Sequence, residues 1–124
     1  MAGKRLVVIE DDPANLRLMV LLLKAAGHQV IGASNGTEGL DAVRKEIPDL
    51  ILCDGRMPDM SGIEVVQTIR GDAAMANIPV VAVTGLVRDV DSRELLAAGF
   101  NGYIAKPFDI KTFAVQVAGF LPEA

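Results

Sequence analysis

The chain has 124 residues, 51% of them apolar and 23% charged, which is the make-up of one domain able to bury roughly two thirds of the surface its unfolded form exposes. Twelve Lys and Arg against sixteen Asp and Glu leave a net charge of -4 and a pI near 4.9, so the chain as a whole attracts neither nucleic acid nor an anionic membrane surface. Its single cysteine, Cys53, lies in an apolar run and can form neither an internal disulfide nor a thiolate metal cage, which fits a reducing, cytoplasmic setting.

Nothing directs export or membrane insertion. Lys4 and Arg5 precede an apolar stretch, Leu6 to Ile9, that is shorter than a signal-peptide core and runs straight into three acids. The longest aliphatic stretch, Leu18 to Leu23, has six residues, where a membrane span needs about 20. It reads as part of a packed helix.

Short β-branched runs alternate with helix-length amphipathic segments, the pattern of parallel strands joined by crossover helices in an α/β fold. The predicted strands are Arg5 to Ile9, Gln29 to Ala33, Leu50 to Cys53, Val80 to Val83 and Gly102 to Ala105. Most are nearly continuous in apolar residues, as expected when both faces of a sheet are covered. After the first strand Pro13 suits a first helical turn, Leu16, Met19, Val20 and Leu23 recur on one face, and Gly27 supplies a stop. Further helices are predicted over Thr37 to Glu46, Gly62 to Arg70, Val87 to Ala98 and Ile110 to Leu121. No internal repeat or linker divides the chain, so residues 1–124 are expected to form a single domain without room for an output domain.

In an open parallel sheet the ligand crevice lies outside the carboxyl ends of the strands. Here the residues that follow the apolar runs are polar: Glu10, Asp11 and Asp12 after the first, Asp54 after the third, Thr84 after the fourth, and Lys106 with Pro107 after the fifth. Acids from adjacent strand ends repel one another in a partly buried site unless a cation sits among them. Oxygen ligands without His or Cys select Mg²⁺ or Mn²⁺ over Zn²⁺. Such acids also serve simply to solvate a loop or to cap a helix, the role expected of Asp12 before Pro13. Lys106 adds a counter-charge for a phosphoryl group, and Thr84 beside Gly85 offers a hydroxyl that an anion can approach closely. The Lys106–Pro107 peptide is a candidate for the cis form, with an ordinary loop proline as the alternative.

Taken together, Glu10-Asp11, Asp54, Met57-Pro58 with Gly62, Thr84, and Lys106-Pro107-Phe108 make the chain resemble the receiver domains of two-component response regulators over nearly its full length. The resemblance implies a flavodoxin-like (βα)5 fold with a five-stranded parallel sheet in the order 2-1-3-4-5 and helices on both faces. It also implies that Asp54 accepts a phosphoryl group from a phosphohistidine. Glu10, Asp11, Asp54 and the backbone carbonyl of Arg56 would hold Mg²⁺, and Thr84 and Lys106 would contact the phosphoryl oxygens. Tyr103 matches the aromatic that turns inward as the threonine moves, although a strand tyrosine half buried for packing reads the same way. Phe100 and Phe108 read as core.

The implied partners are a histidine kinase or a histidine phosphotransfer protein and a downstream protein, with a phosphorylation-dependent dimer as one form of output and no direct contact with nucleic acid. Asn15, Leu18 and Leu22 lie on the helix face where the resemblance places docking of the histidine-bearing bundle; crowded leucines packing on the last helix are the alternative. His28 after Gly27 reads as a solvated turn residue. Arg56, two residues past Asp54, and Leu86, two past Thr84, depart from the commonest pattern. Leu86 brings no acid or amide to orient a hydrolytic water, so slow self-dephosphorylation is expected. Two other readings stand beside this one. A degenerate receiver would bind proteins independently of phosphate, but all the matching polar positions are filled. An Mg²⁺-dependent phosphohydrolase using an aspartyl phosphate would resemble an Asp-x-Asp motif, which Arg56 interrupts.

Overall fold

The computed structural model describes residues 3–85 and 92–122. The elements are β1 (Arg5–Ile9), α1 (Pro13–Ala25), β2 (Gln29–Ala33), α2 (Gly36–Glu46), β3 (Leu50–Asp54), α3 (Gly62–Arg70), β4 (Val80–Thr84), α4 (Ser92–Ala98), β5 (Gly102–Ala105) and α5 (Phe113–Ala118). All neighbouring strands pair in parallel, in the order β2-β1-β3-β4-β5. No helix among the described residues is long and apolar enough to cross a membrane.

The nearly unbroken apolar strands follow from burial on both faces, because successive side chains alternate across the sheet. Val7, Ile9, Ile51, Cys53, Val80 and Ala82 point to the layer of α2, α3 and α4, where Val43, Val66, Ile69 and Leu95 meet them. Leu6, Val8, Leu50, Leu52, Val81 and Val83 point the other way, onto Met19 and Leu23 of α1 and Phe113 and Val117 of α5. Phe100 is buried, whereas Phe108 is half-buried and stacks at 4.4 Å on Phe113.

Three helix starts are capped as their sequences suggest. Asp12 accepts from Ala14 N at 2.9 Å ahead of Pro13, Asn35 accepts from Glu38 N at 2.9 Å, and Ser61 with Glu64 forms a capping box. Gly27, at φ 98°, follows the end of α1 in a conformation that few other residues adopt.

Several boundaries differ from the predicted ones. β3 and β4 each run one residue further, because Asp54 pairs with Val83 and Thr84 with Ala105 in the ladder. α2 begins one residue earlier, at Gly36. The last helix is shorter at both ends. Asp109 bends back to accept from Lys111 N and closes a turn before Phe113, while Phe120 and Leu121 make only tight bonds to Val117 and Ala118. The start predicted for α4, from Val87, lies outside the described residues, as does Leu86. Ile47 ends α2 in the left-handed region at φ 42°, unusual for a β-branched residue and squeezed by the proline that follows it. His28 is more than a turn residue: its Nδ1 accepts from Lys4 N at 3.0 Å.

Arg70 closes α3 by donating to backbone carbonyls. It reaches Gly99 O at 3.0 and 2.8 Å, Ala76 O at 3.0 Å and Ile78 O at 2.6 Å, and also Asn101 Oδ1 at 2.8 Å. One guanidinium thereby joins three chain segments, and burial pushes its pKa down from the usual arginine value.

Candidate functional site

Four strand ends converge. Glu10 directly follows β1, Asp54 and Thr84 end β3 and β4, and Lys106 directly follows β5. Glu10, Asp54 and Thr84 are 1%, 8% and 2% exposed, and Asp11 stands exposed at the rim. β1, β3 and β4 are buried on both sheet faces, so Glu10, Asp54 and Thr84 issue from close-packed backbone, whereas Lys106 follows the edge strand β5.

The site is a packed set of opposing charges. Lys106 Nζ lies 2.6 Å from Glu10 Oε1 and 3.3 Å from Asp54 Oδ1. The other Glu10 oxygen accepts from Asp12 N at 3.1 Å. Burial works to lower the Lys106 pKa, but the hydrogen bond to Glu10 and the charges of Asp54 and Glu10 outweigh it and hold the ammonium above its ordinary range. The Asp11 pKa also rises, which for an acid disfavours the charged form: its hydrogen bond with Asp54, then burial, then the Asp54 charge raise it. Burial and the two neighbouring carboxylates likewise push the Cys53 thiol up, which makes it a core residue and not a nucleophile.

Glu10, Asp11 and Asp54 each offer an oxygen within 4.8 Å of the others. Three carboxylates face one ammonium, an excess of negative charge in an oxygen-only donor set that suits a hard divalent cation. The Lys106–Pro107 peptide is cis.

The loop between Asp54 and α3 is shaped by close approach. A Cβ at Gly62 would lie 2.5 Å from Asp54 O, so glycine is required there, and Gly62 N donates to Gly55 O at 3.1 Å. Arg56 pairs across the loop with Ser61, and its N–H reaches toward Asp54 Oδ1 at 3.5 Å. The Arg56 side chain is exposed.

Of the residues expected at the docking face, all three are half-buried: Asn15 and Leu18 line a groove with Lys106, Pro107 and Phe108, and Leu22 packs against the core layer beside α1. Leu21, 58% exposed, is an outward-facing leucine of α1 that sequence reasoning did not single out; its spacing of three from Leu18 was the available signal. Tyr103 on β5 is 38% exposed. Asp59 was also missed: it accepts from Gly36 N, Thr37 N and Thr37 Oγ1. No sequence spacing signals a contact between segments that far apart.

Comparison with known proteins agrees with this geometry. The family model for the response regulator receiver domain matches residues 6–118. The polar-differentiation response regulator DivK of Brucella anthropi is 35% identical over 121 residues, 98% of each chain. Among solved structures, the chemotaxis response regulator CheY4 of Vibrio cholerae superposes with a TM-score of 0.89 at 26% identity, covering 98% of this chain and 100% of that one. The receiver domain of a Pseudomonas aeruginosa sensor histidine kinase, solved with a magnesium ion coordinated in its active site cleft, superposes at 0.86 with 27% identity, over 96% of this chain and 98% of that one. The chain belongs to the response regulator receiver family.

Proposed function

We propose that this receiver accepts a phosphoryl group on Asp54 from the phosphohistidine of a sensor kinase or phosphotransfer protein. It would then signal by a change in protein–protein binding or by passing the phosphate on. The observation that carries this reading is the setting of Asp54, a nearly buried carboxylate at the carboxyl end of the central strand with an ammonium at 3.3 Å and two further acids beside it.

In the proposed step a carboxylate oxygen of Asp54 attacks phosphorus, a P–O bond forms, the P–N bond breaks, and its electron pair goes to the imidazole nitrogen. Asp11, Asp54 and the Arg56 carbonyl would hold Mg²⁺, with Glu10 acting through water because Lys106 and Asp12 N already engage its oxygens. The bound ion would neutralise charge on the transferring group. Lys106 stands where it can exchange Asp54 for a phosphoryl oxygen, and the Thr84 hydroxyl would take another.

Phosphorylation adds about -1.5 to -2 charges beside Thr84. Drawing Thr84 inward would shift the end of β4 and, through Lys106 N to Thr84 O at 3.0 Å, the carboxyl end of β5, the strand that bears Tyr103. Tyr103, now partly exposed, would turn inward and change the surface offered to a target. The chain would thus be a phosphoacceptor, not a turnover catalyst. Intact mass after incubation with acetyl phosphate tests the reading. Gain of one phosphoryl group that needs both Mg²⁺ and Asp54, and is lost in Asp54→Asn, is expected; no gain from that donor or from a phosphohistidine donor would make the acidic site purely structural.

A further inference from the structure

We propose that Asp59 is a positioning residue for the proposed Mg²⁺ site: docked on the start of α2, it holds the loop of residues 55–61 in the shape that presents the Arg56 carbonyl beside Asp54. This rests on the reading of Asp11, Asp54 and Arg56 as the residues that hold Mg²⁺.

The loop is closed at its base but not at its tip. Gly62 N to Gly55 O, the pairing of Arg56 with Ser61, and the Ser61–Glu64 capping box tie its two ends together. The segment between them is anchored from outside. Asp59 Oδ1 accepts from Gly36 N at 2.9 Å, and Oδ2 accepts from Thr37 N at 2.8 Å and from Thr37 Oγ1 at 2.7 Å. Met57 and Met60 pack on the core beneath, and Met60 lies so close over Gly36 that a Cβ there would overlap it.

A helix start needs partners for its first N–H groups, yet α2 already carries its own cap, since Asn35 takes Glu38 N at 2.9 Å. The acid that completes the set comes from the loop behind Asp54, not from the residues preceding α2. The three hydrogen bonds, one of them from a hydroxyl, therefore join the loop to a rigid element as much as they cap a helix. The depressed pKa of Asp59 agrees with a carboxylate well satisfied in its charged form. Residues that orient metal ligands without touching the ion typically matter about tenfold or more in metal affinity.

The test is isothermal titration calorimetry of Mg²⁺ into the whole native chain and into Asp59→Ala and Asn35→Ala, at a temperature where all three are folded. Amide hydrogen exchange of residues 55–61 is followed in EDTA alongside. Asp59→Ala is expected to bind Mg²⁺ about tenfold more weakly and to exchange faster in the loop. Asn35→Ala weakens the same helix start without freeing the loop, and is expected to match the native chain in both readouts. Native-like affinity in Asp59→Ala, or an equal loss in Asn35→Ala, overturns the proposal while leaving the receiver reading intact. If Asp59→Ala does not fold, Asp59→Asn, which keeps one acceptor oxygen, takes its place under the same criteria. Absence of saturable binding by the native chain overturns the Mg²⁺ reading itself and the positioning role with it.

Discussion

Lys106 holds Glu10 more closely than it holds Asp54, at 2.6 Å against 3.3 Å. The fully buried acid is the tighter partner, and the proposed phosphoacceptor is the looser one. Removing the ammonium therefore strands Glu10 first. Lys106→Met is expected to destabilise the fold by about 3 kcal/mol, the scale for breaking one side of a buried pair. Most of that loss should be recovered in Glu10→Gln/Lys106→Met, where no uncompensated charge remains. Urea unfolding of the single and double variants decides it: equal losses in both would mean that packing, not charge, is what Lys106 supplies. Because the Lys106 pKa is raised from its ordinary 10.5, its contribution is present in full below that pH and fades as pH rises beyond it.

Crowding of like charge at Asp11 and Asp54 predicts opposite responses to one substitution. Asp11→Asn relieves repulsion and should raise stability in EDTA, yet it should abolish the stabilisation that Mg²⁺ gives the native chain. At a Mg²⁺ concentration ten times the dissociation constant that stabilisation is about 1.4 kcal/mol. Thermal unfolding with and without Mg²⁺ reads both effects, and an Mg²⁺-induced rise that survives in Asp11→Asn would place the ion elsewhere.

Acid should loosen the contact between the loop and α2. The Thr37 hydroxyl, then the N–H groups of Gly36 and Thr37, lower the Asp59 pKa from 3.8 to about 2. A depressed acid stabilises the fold above its ordinary pKa, and that contribution is lost as pH falls from 3.8 toward 2. Asp59→Ala should therefore lose less stability than the native chain across this window, as measured by urea midpoints at successive pH values. Parallel curves would show that the carboxylate is not responsible.

Arg70 satisfies its fork with three carbonyls and one side-chain amide oxygen, a geometry an ammonium cannot copy. Arg70→Lys is expected to cost about 2 kcal/mol, the scale of hydrogen bonds to a charged group. A change within about 0.5 kcal/mol, the usual size for a surface substitution, would show that the fork adds nothing to stability.

The phosphorylated chain is expected to keep its phosphate for long periods, because Leu86 offers no polar group to a hydrolytic water and Arg56 stands two residues past Asp54. Intact mass followed over time after removal of the donor measures this; rapid loss from the purified chain would contradict it.

The alternation of apolar strands and amphipathic helices, and the polar residue after each strand, are local properties of the chain. They were sufficient to place all five strands and to bring Glu10, Asp54, Thr84 and Lys106 to one sheet edge. That edge is dictated by topology, since parallel strands deliver their carboxyl ends to the same side. Other features depend on contacts between residues distant in sequence. The period of the first helix puts Leu18 and Leu22 on one face, and both are half-buried there, but that Leu18 lines a groove with Pro107 and Phe108 while Leu22 packs against the core is decided by the tertiary structure. Helical pattern ran on past both ends of α5, and the turn at Asp109 and the tight bonds after Val117 cut it short. The preference of Lys106 for Glu10, the grip of Arg70 on two segments beyond its own helix, and the docking of Asp59 on α2 arise only when the chain has closed on itself. Each is a hydrogen-bonding or charge relation with no period and no fixed spacing, so only the tertiary structure could assign its partner.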